Sequence, residues 1–134
     1  MDWTIEFDKA IEQYLPDLEV LQDEPMSRHT TFRIGGPAKR MAFPSSREQL
    51  VLLMSFAKDY GANPLVIGNG SNLLDPDEGL DRLVIDTSAN LNRVERGSGN
   101  TVLADAGATL TRTADLACKS GLTGLEFAHG IPGT

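Results

Sequence analysis

The chain has 134 residues, 40% hydrophobic and 23% charged, with a formal charge of −7 and a sequence pI near 4.7. A chain this long sustains one domain, burying about 65–70% of the surface its unfolded form exposes, and ordinary globular usage excludes disordered and membrane-spanning classes. The acidic balance excludes a general nucleic-acid or anionic-membrane surface, so a bound phosphate must be held locally, by backbone N–H groups or a few placed cations.

In chain order, Trp3, Phe7, Ala10, Ile11 and Tyr14 recur at helical spacing, with Asp2 as N-cap and Pro16 as stop. Residues 17–29 are acidic and then irregular, and read as a connection. The Gly35-Gly36-Pro37 run breaks regular structure, and Ala38–Phe43 is a short strand ended by Pro44. Ser45 and Glu48 form a capping box for a helix with Leu50, Leu53, Met54 and Ala57 on its apolar face, ending near Gly61. Leu65-Val66-Ile67 is wholly apolar, the pattern of a parallel strand covered on both faces. Residues 38–67 therefore read as a βαβ unit.

Leu83–Asp86 is a further strand. Leu91–Val94 and Thr101–Ala104 flank Gly97-Ser98-Gly99-Asn100, a hairpin signal. Thr109 caps a last helix carrying Leu110, Ala114, Ala117 and Cys118 on one side, closed by Gly121. The layout is α/β (α+β): a parallel βαβ lobe, then the start of a more antiparallel one.

The turn Gly68-Asn69-Gly70-Ser71-Asn72 follows directly on the apolar strand. Its glycines permit positive φ and let a ligand approach the backbone, while successive N–H groups make an anion-binding concavity. The dinucleotide fingerprint is excluded because Leu73 stands where its third glycine belongs, which also makes the spacing of Asp86 as a ribose acid accidental. The P-loop is excluded because Gly-Lys-Ser/Thr is absent. Residue chemistry alone fits a phosphate cradle and a bare strand-ending turn equally well.

Four blocks occur in order: His29–Ala38, Gly68–Leu74, Ala106-Gly107-Ala108 and Gly121–Thr134. Together they resemble the UDP-N-acetylenolpyruvoylglucosamine reductase (UDP-N-acetylmuramate dehydrogenase) family of bacterial peptidoglycan-precursor flavoenzymes, from about Met26 to Thr134. The resemblance implies an FAD-binding domain of the vanillyl-alcohol-oxidase (PCMH) type over residues 26–134, preceded by an N-terminal helix and connection over 1–25. It implies that Gly68, Asn69, Gly70, Ser71, Asn72 and Leu73 wrap the FAD pyrophosphate. Gly107 and Ala108, with Gly130, Ile131, Pro132, Gly133 and Thr134, would line the flavin. NADPH would be the hydride donor and a UDP-sugar the substrate, in the cytoplasm, with no nucleic-acid or membrane partner.

That family continues past the Gly-Ile-Pro-Gly-Thr block, and its catalytic arginine, serine and glutamate lie in the continuation. No catalytic residue is therefore assigned here, and the 134 residues alone are expected to be inactive and to bind FAD weakly or not at all. Two other readings stand beside this one: another flavoprotein oxidoreductase of the same fold, and a shortened non-catalytic paralogue. Asp75-Pro76 departs from the family pattern, which has an apolar residue after the Leu-Leu pair.

Other residues carry less. Asp75, Asp77, Glu78 and Asp81 lack the glycine position and closing glutamate of an EF-hand and read as a solvated acidic loop. His29 and His129 lack a cysteine or acid at ligand spacing, so no metal site is expected. Cys118 reads as a packing residue that forms no internal disulfide and fits a reducing compartment. The first six residues carry no secretory signature, and no transmembrane span is expected. Glu126 reads chiefly as an acceptor for turn N–H groups, with proton transfer the lesser reading. Arg33 is divided evenly between a cation near the diphosphate and a surface ion pair.

Overall fold

The computed structural model describes residues 2–134. Helix α1, Thr4–Tyr14, begins where Asp2 Oδ1 accepts both the backbone N–H of Thr4 at 3.0 Å and its hydroxyl at 2.6 Å. Trp3, Phe7, Ala10 and Ile11 are buried as the spacing requires, but Tyr14 is 58% exposed and lies outside the stripe.

Residues Glu19–Pro25 form strand β1 rather than a connection. The strand carries charges at Glu19, Asp23 and Glu24, which hid it in the sequence. Its pairing explains it: β1 runs antiparallel along the edge of β2, Pro37–Phe43, from Glu19 opposite Phe43 to Pro25 opposite Pro37. An edge strand needs only one apolar face, and charges on the other discourage further pairing.

Helix α2, Arg47–Tyr60, is capped one residue later than the sequence pattern places it. Ser46 Oγ accepts the Gln49 N–H at 3.1 Å, and Gln49 Oε1 reaches back to the Ser45 N–H at 2.8 Å. Leu53 and Ala57 are fully buried and Met54 is 37% exposed.

Strands β3, Leu65–Ile67, and β4, Leu80–Asp86, are both parallel to their neighbours, in the order β1-β2-β4-β3. Strand β4 is therefore interior beside β2, with Leu83, Val84 and Ile85 fully buried, while β3 is a sheet edge with Val66 50% exposed. The expectation of a doubly covered β3 fails on topology, because a chain that returns to insert β4 beside β2 pushes β3 outward.

Side chains alternate across the sheet. Ala42, Leu83 and Ile85 pack against Trp3, Phe7, Ile11, Leu53 and Ala57, so both helices cover one face. Met41, Phe43, Ile67 and Val84 pack on the other face against Met26, which opens a short 3₁₀ turn, and Leu73, which comes from a loop. Arg40 fastens α1 to β2 by a two-pronged pair with Asp8, Nε to Oδ1 at 2.9 Å and Nη2 to Oδ2 at 2.6 Å. The Trp3 indole N–H donates to Asp81 Oδ1 at 2.9 Å.

A separate two-stranded sheet follows, β5 (Val94–Arg96) antiparallel to β6 (Val102–Ala104), as the hairpin signal requires. Helix α3, Leu110–Lys119, is capped by Thr109 Oγ1 on the Arg112 N–H at 3.2 Å. Ala114 and Ala117 are buried on it, but Cys118 is exposed rather than a packing residue of the core. Among the described residues, no helix is long and apolar enough to cross a membrane.

The acidic loop is not uniformly solvated. Asp75 is 7% exposed, and its Oδ2 has no hydrogen-bond partner. Burial pushes its carboxyl above the usual carboxylate range. A raised folded value means that the buried charge costs stability above that value, and the cost disappears as pH falls toward the ordinary aspartate range. Asp75→Asn is therefore expected to gain about 1 kcal/mol in urea unfolding at neutral pH, and to show no gain in acid. Equal stability of variant and parent at neutral pH contradicts this reading.

Candidate functional site

Parallel strands β2, β3 and β4 all end on one side of the sheet, the side where open α/β sheets bind ligands. Ile67 leads there into Gly68, and Asp86 into Thr87 and Ser88. The two strand ends are tied together, since the Thr87 N–H and hydroxyl each donate to the Ile67 carbonyl at 3.0 Å. A cleft of about 670 Å³ opens at this point, walled by Gly68 and Asn69, by Asp86 and Ser88, and by the 27–33 segment.

Gly70 has φ +72°, and a Cβ added to it would lie 2.0 Å from the His29 carbonyl oxygen. The backbones of two loops meet there, an approach that only glycine permits. The contact is sealed by the Thr31 N–H, which donates to the Gly70 carbonyl at 3.1 Å. Asn69 Oδ1 accepts the Ser71 N–H at 3.2 Å, closing an Asx turn. Among the described residues, no protein acceptor takes the N–H groups of Gly68, Asn69, Gly70 or Asn72. A run of unpaired donors on a glycine turn at a strand's carboxyl end has the chemistry of an anion cradle, so the turn fits a diphosphate.

The last residues of the chain close on the same turn. A Cβ on Gly68 would fall 1.7 Å from Thr134 Oγ1, and one on Gly133 would fall 3.2 Å from Ser71 Oγ. The segment Gly130–Thr134 is held on the start of α3 by the Gly130 N–H on Thr111 Oγ1 at 3.1 Å and by the Leu110 N–H on the Gly133 carbonyl at 3.0 Å. Gly133 and Thr134 thus meet the 68–72 turn directly, whereas Ile131 and Pro132 are exposed. Gly107 and Ala108 are buried beside the 87–91 bend, with the Gly107 N–H on the Leu91 carbonyl at 2.8 Å. Leu73 packs into the loop-covered core rather than facing the cleft.

His29 has acids beside it in the fold that its sequence neighbours do not announce. Its Nε2 is 3.0 Å from Glu24 Oε1 and its Nδ1 is 3.8 Å from Asp86 Oδ2. His129 likewise has Asp115 Oδ1 at 3.1 Å. Each contact joins an imidazole to a carboxylate, and among the described residues no group of three or more His, Cys, Asp or Glu side chains is arranged to hold a metal. Asp86 and Ser88 also line the cleft, which spacing alone could not reveal because only the sheet order brings them there. Glu126 Oε2 accepts the Gly124 N–H at 2.9 Å. Hydrogen bonds from its own N–H and that of Gly124 hold its carboxyl below the usual range, as fits a turn acceptor.

A second concavity, about 760 Å³ along α2 between Val51 and Pro64, is lined mostly by apolar atoms.

Residues 38–134 match the family model described as FAD binding domain, and the chain belongs to that family. Its fold is that of the PCMH-type flavoenzymes. Glucooligosaccharide oxidase from Acremonium strictum superposes with a TM-score of 0.63 at 18% identity, over 86% of this chain and 25% of its own. Cholesterol oxidase from Brevibacterium sterolicum gives 0.59 at 18%, over 78% and 21%. Within the family, the chain is 43% identical to the UDP-N-acetylenolpyruvoylglucosamine reductase of Caldicellulosiruptor bescii, over 92% of this chain and 39% of that protein. It is 48% identical to the reductase of the same name from Moorella thermoacetica, over 87% and 38%. The chain thus spans about two fifths of the length of these relatives.

Proposed function

We propose that this chain is the FAD-binding portion of a cytoplasmic, NADPH-dependent reductase that converts UDP-N-acetylenolpyruvoylglucosamine to UDP-N-acetylmuramate for peptidoglycan-precursor synthesis. The observation that carries the cofactor reading is the set of unpaired N–H groups on Gly68, Asn69, Gly70 and Asn72, at the carboxyl ends of the parallel strands. The names of the relatives support the substrate. Gly68–Asn72 hold the diphosphate, and Leu73 anchors the turn in the core. Gly107, Ala108 and Gly130–Thr134 line the flavin.

Bound FAD supplies hydride carriage from NADPH to the substrate's double bond, and the protein's part is to bind and orient it. None of the 134 residues is assigned proton transfer, because Glu126 is committed to the turn around Gly124. The full-length protein is expected to oxidise NADPH only when the UDP-enolpyruvyl sugar is present. Release of hydrogen peroxide on a free sugar or alcohol, with no use of NADPH, would favour an oxidase of the same fold instead. The 134 residues alone are expected to show no turnover, and NADPH consumption by them would contradict the assignment of the catalytic groups elsewhere.

A further inference from the structure

We propose that Arg33 is the charged arm of a two-sided diphosphate clamp, lining the same cleft as Gly68 and Asn69 at the start of the glycine turn. The inference deepens the FAD reading above and rests on it.

Three basic side chains line that cleft: Arg28, His29 and Arg33. Two already stand beside carboxylates. Arg28 Nη1 lies 3.8 Å from Glu24 Oε1, and His29 is set between Glu24 and Asp86. Among the described residues Arg33 has no acidic partner, although acidic residues outnumber lysine and arginine by 19 to 12. A free guanidinium in so acidic a chain is available to an incoming anion, and its planar fork suits phosphate oxygens.

The backbone fixes where this side chain stands. The Arg33 N–H donates to the Thr30 carbonyl at 3.2 Å, closing a tight turn, and Thr30 is buried beneath it. The next residue, Thr31, carries the N–H bound to the Gly70 carbonyl. The turn bearing Arg33 and the turn bearing the free N–H groups are therefore one hydrogen-bonded unit. Arg33 itself sits at φ +54°, a left-handed conformation that costs a non-glycine residue about 1 kcal/mol. A structural role alone would favour glycine or asparagine there, whereas arginine supplies the charge.

The test is an amide chemical-shift titration of the full-length protein, freed of flavin, with ADP, FAD and riboflavin, repeated for Arg33→Gln and Arg33→Lys. In the parent, ADP and FAD shift the Gly68–Asn72 amides. Arg33→Gln is expected to weaken both by about tenfold and to flatten the dependence of affinity on salt, with riboflavin unaffected. Arg33→Lys recovers the salt dependence but only part of the affinity, because an ammonium cannot make the bidentate contact. Unchanged ADP affinity in Arg33→Gln, with the amides still responding, overturns the clamp and leaves the phosphate turn standing. A parent turn that ignores both ADP and FAD overturns the phosphate reading, and the clamp with it.

Discussion

Gly70→Ala is expected to cost the domain about 2–4 kcal/mol and to abolish the response of the 68–72 turn to diphosphate ligands. Two effects add. The residue holds φ +72°, which any side chain resists, and the new methyl would lie 2.0 Å from the His29 carbonyl oxygen. Backbone cannot swing aside as a side-chain tip can, so the 29–31 segment must move. That movement breaks the Thr31 N–H bond to the Gly70 carbonyl, which holds the two walls of the cleft together. Gly99→Ala is the control: φ is +62° there, but nothing lies within 4 Å of the added Cβ. It is expected to lose only about 1 kcal/mol, for conformation alone. Equal losses in urea unfolding would show that the meeting of the two loops contributes nothing.

Phe7→Ala carries the other large effect, about 3–5 kcal/mol, enough to threaten a domain of ordinary stability. Phe7 is fully buried, meets the Trp3 ring edge-on at 5.5 Å, and lies in the cluster with Leu53, Ala57, Leu83 and Ile85. The family match starts only at residue 38, yet α1 fills the helix-covered face of the sheet. Ile5→Ala on the same helix, 57% exposed, is expected to cost about 0.5 kcal/mol or less. A small loss at Phe7 would mean that α1 is an appendage rather than part of the core.

Local signals were read well where one short-range rule decided the outcome. The stripe Trp3-Phe7-Ile11, the Gly97–Asn100 hairpin turn and the Thr109 cap each depend on residues within a few positions of one another. Where pairing decided it, the sequence was silent. Strand β1 exists because β2 offers it an edge, and its charges mask it. The apolar run Leu65-Val66-Ile67 announces a strand but cannot say that β4 will displace it to the rim. Ser45 and Ser46 both offer a hydroxyl, and only the backbone selects Ser46 as the cap. Cys118 and Tyr14 fall at helical spacing near the margin of their stripes, where a turn's rotation separates inside from outside.

The site divides in the same way. Its glycine turn was legible because the residue types announce an unusual backbone. The convergence of Gly133 and Thr134 on Gly68 and Ser71 was legible only through the family resemblance, since some 60 residues separate them. The wall formed by His29, Asp86 and Ser88 became visible with the sheet order. Asp75 was hidden in an acidic run, and only its burial sets it apart from Asp77 and Glu78.

The central claim is that the turn after β3 receives the diphosphate of FAD. Its most direct test is an amide chemical-shift map of the full-length protein under FAD titration, in which binding is visible residue by residue. The account predicts the largest shifts at Gly68–Asn72, with smaller ones at Gly107, Ala108 and Gly130–Thr134. Shifts confined to the apolar concavity between Val51 and Pro64, with the glycine turn unmoved, would contradict it.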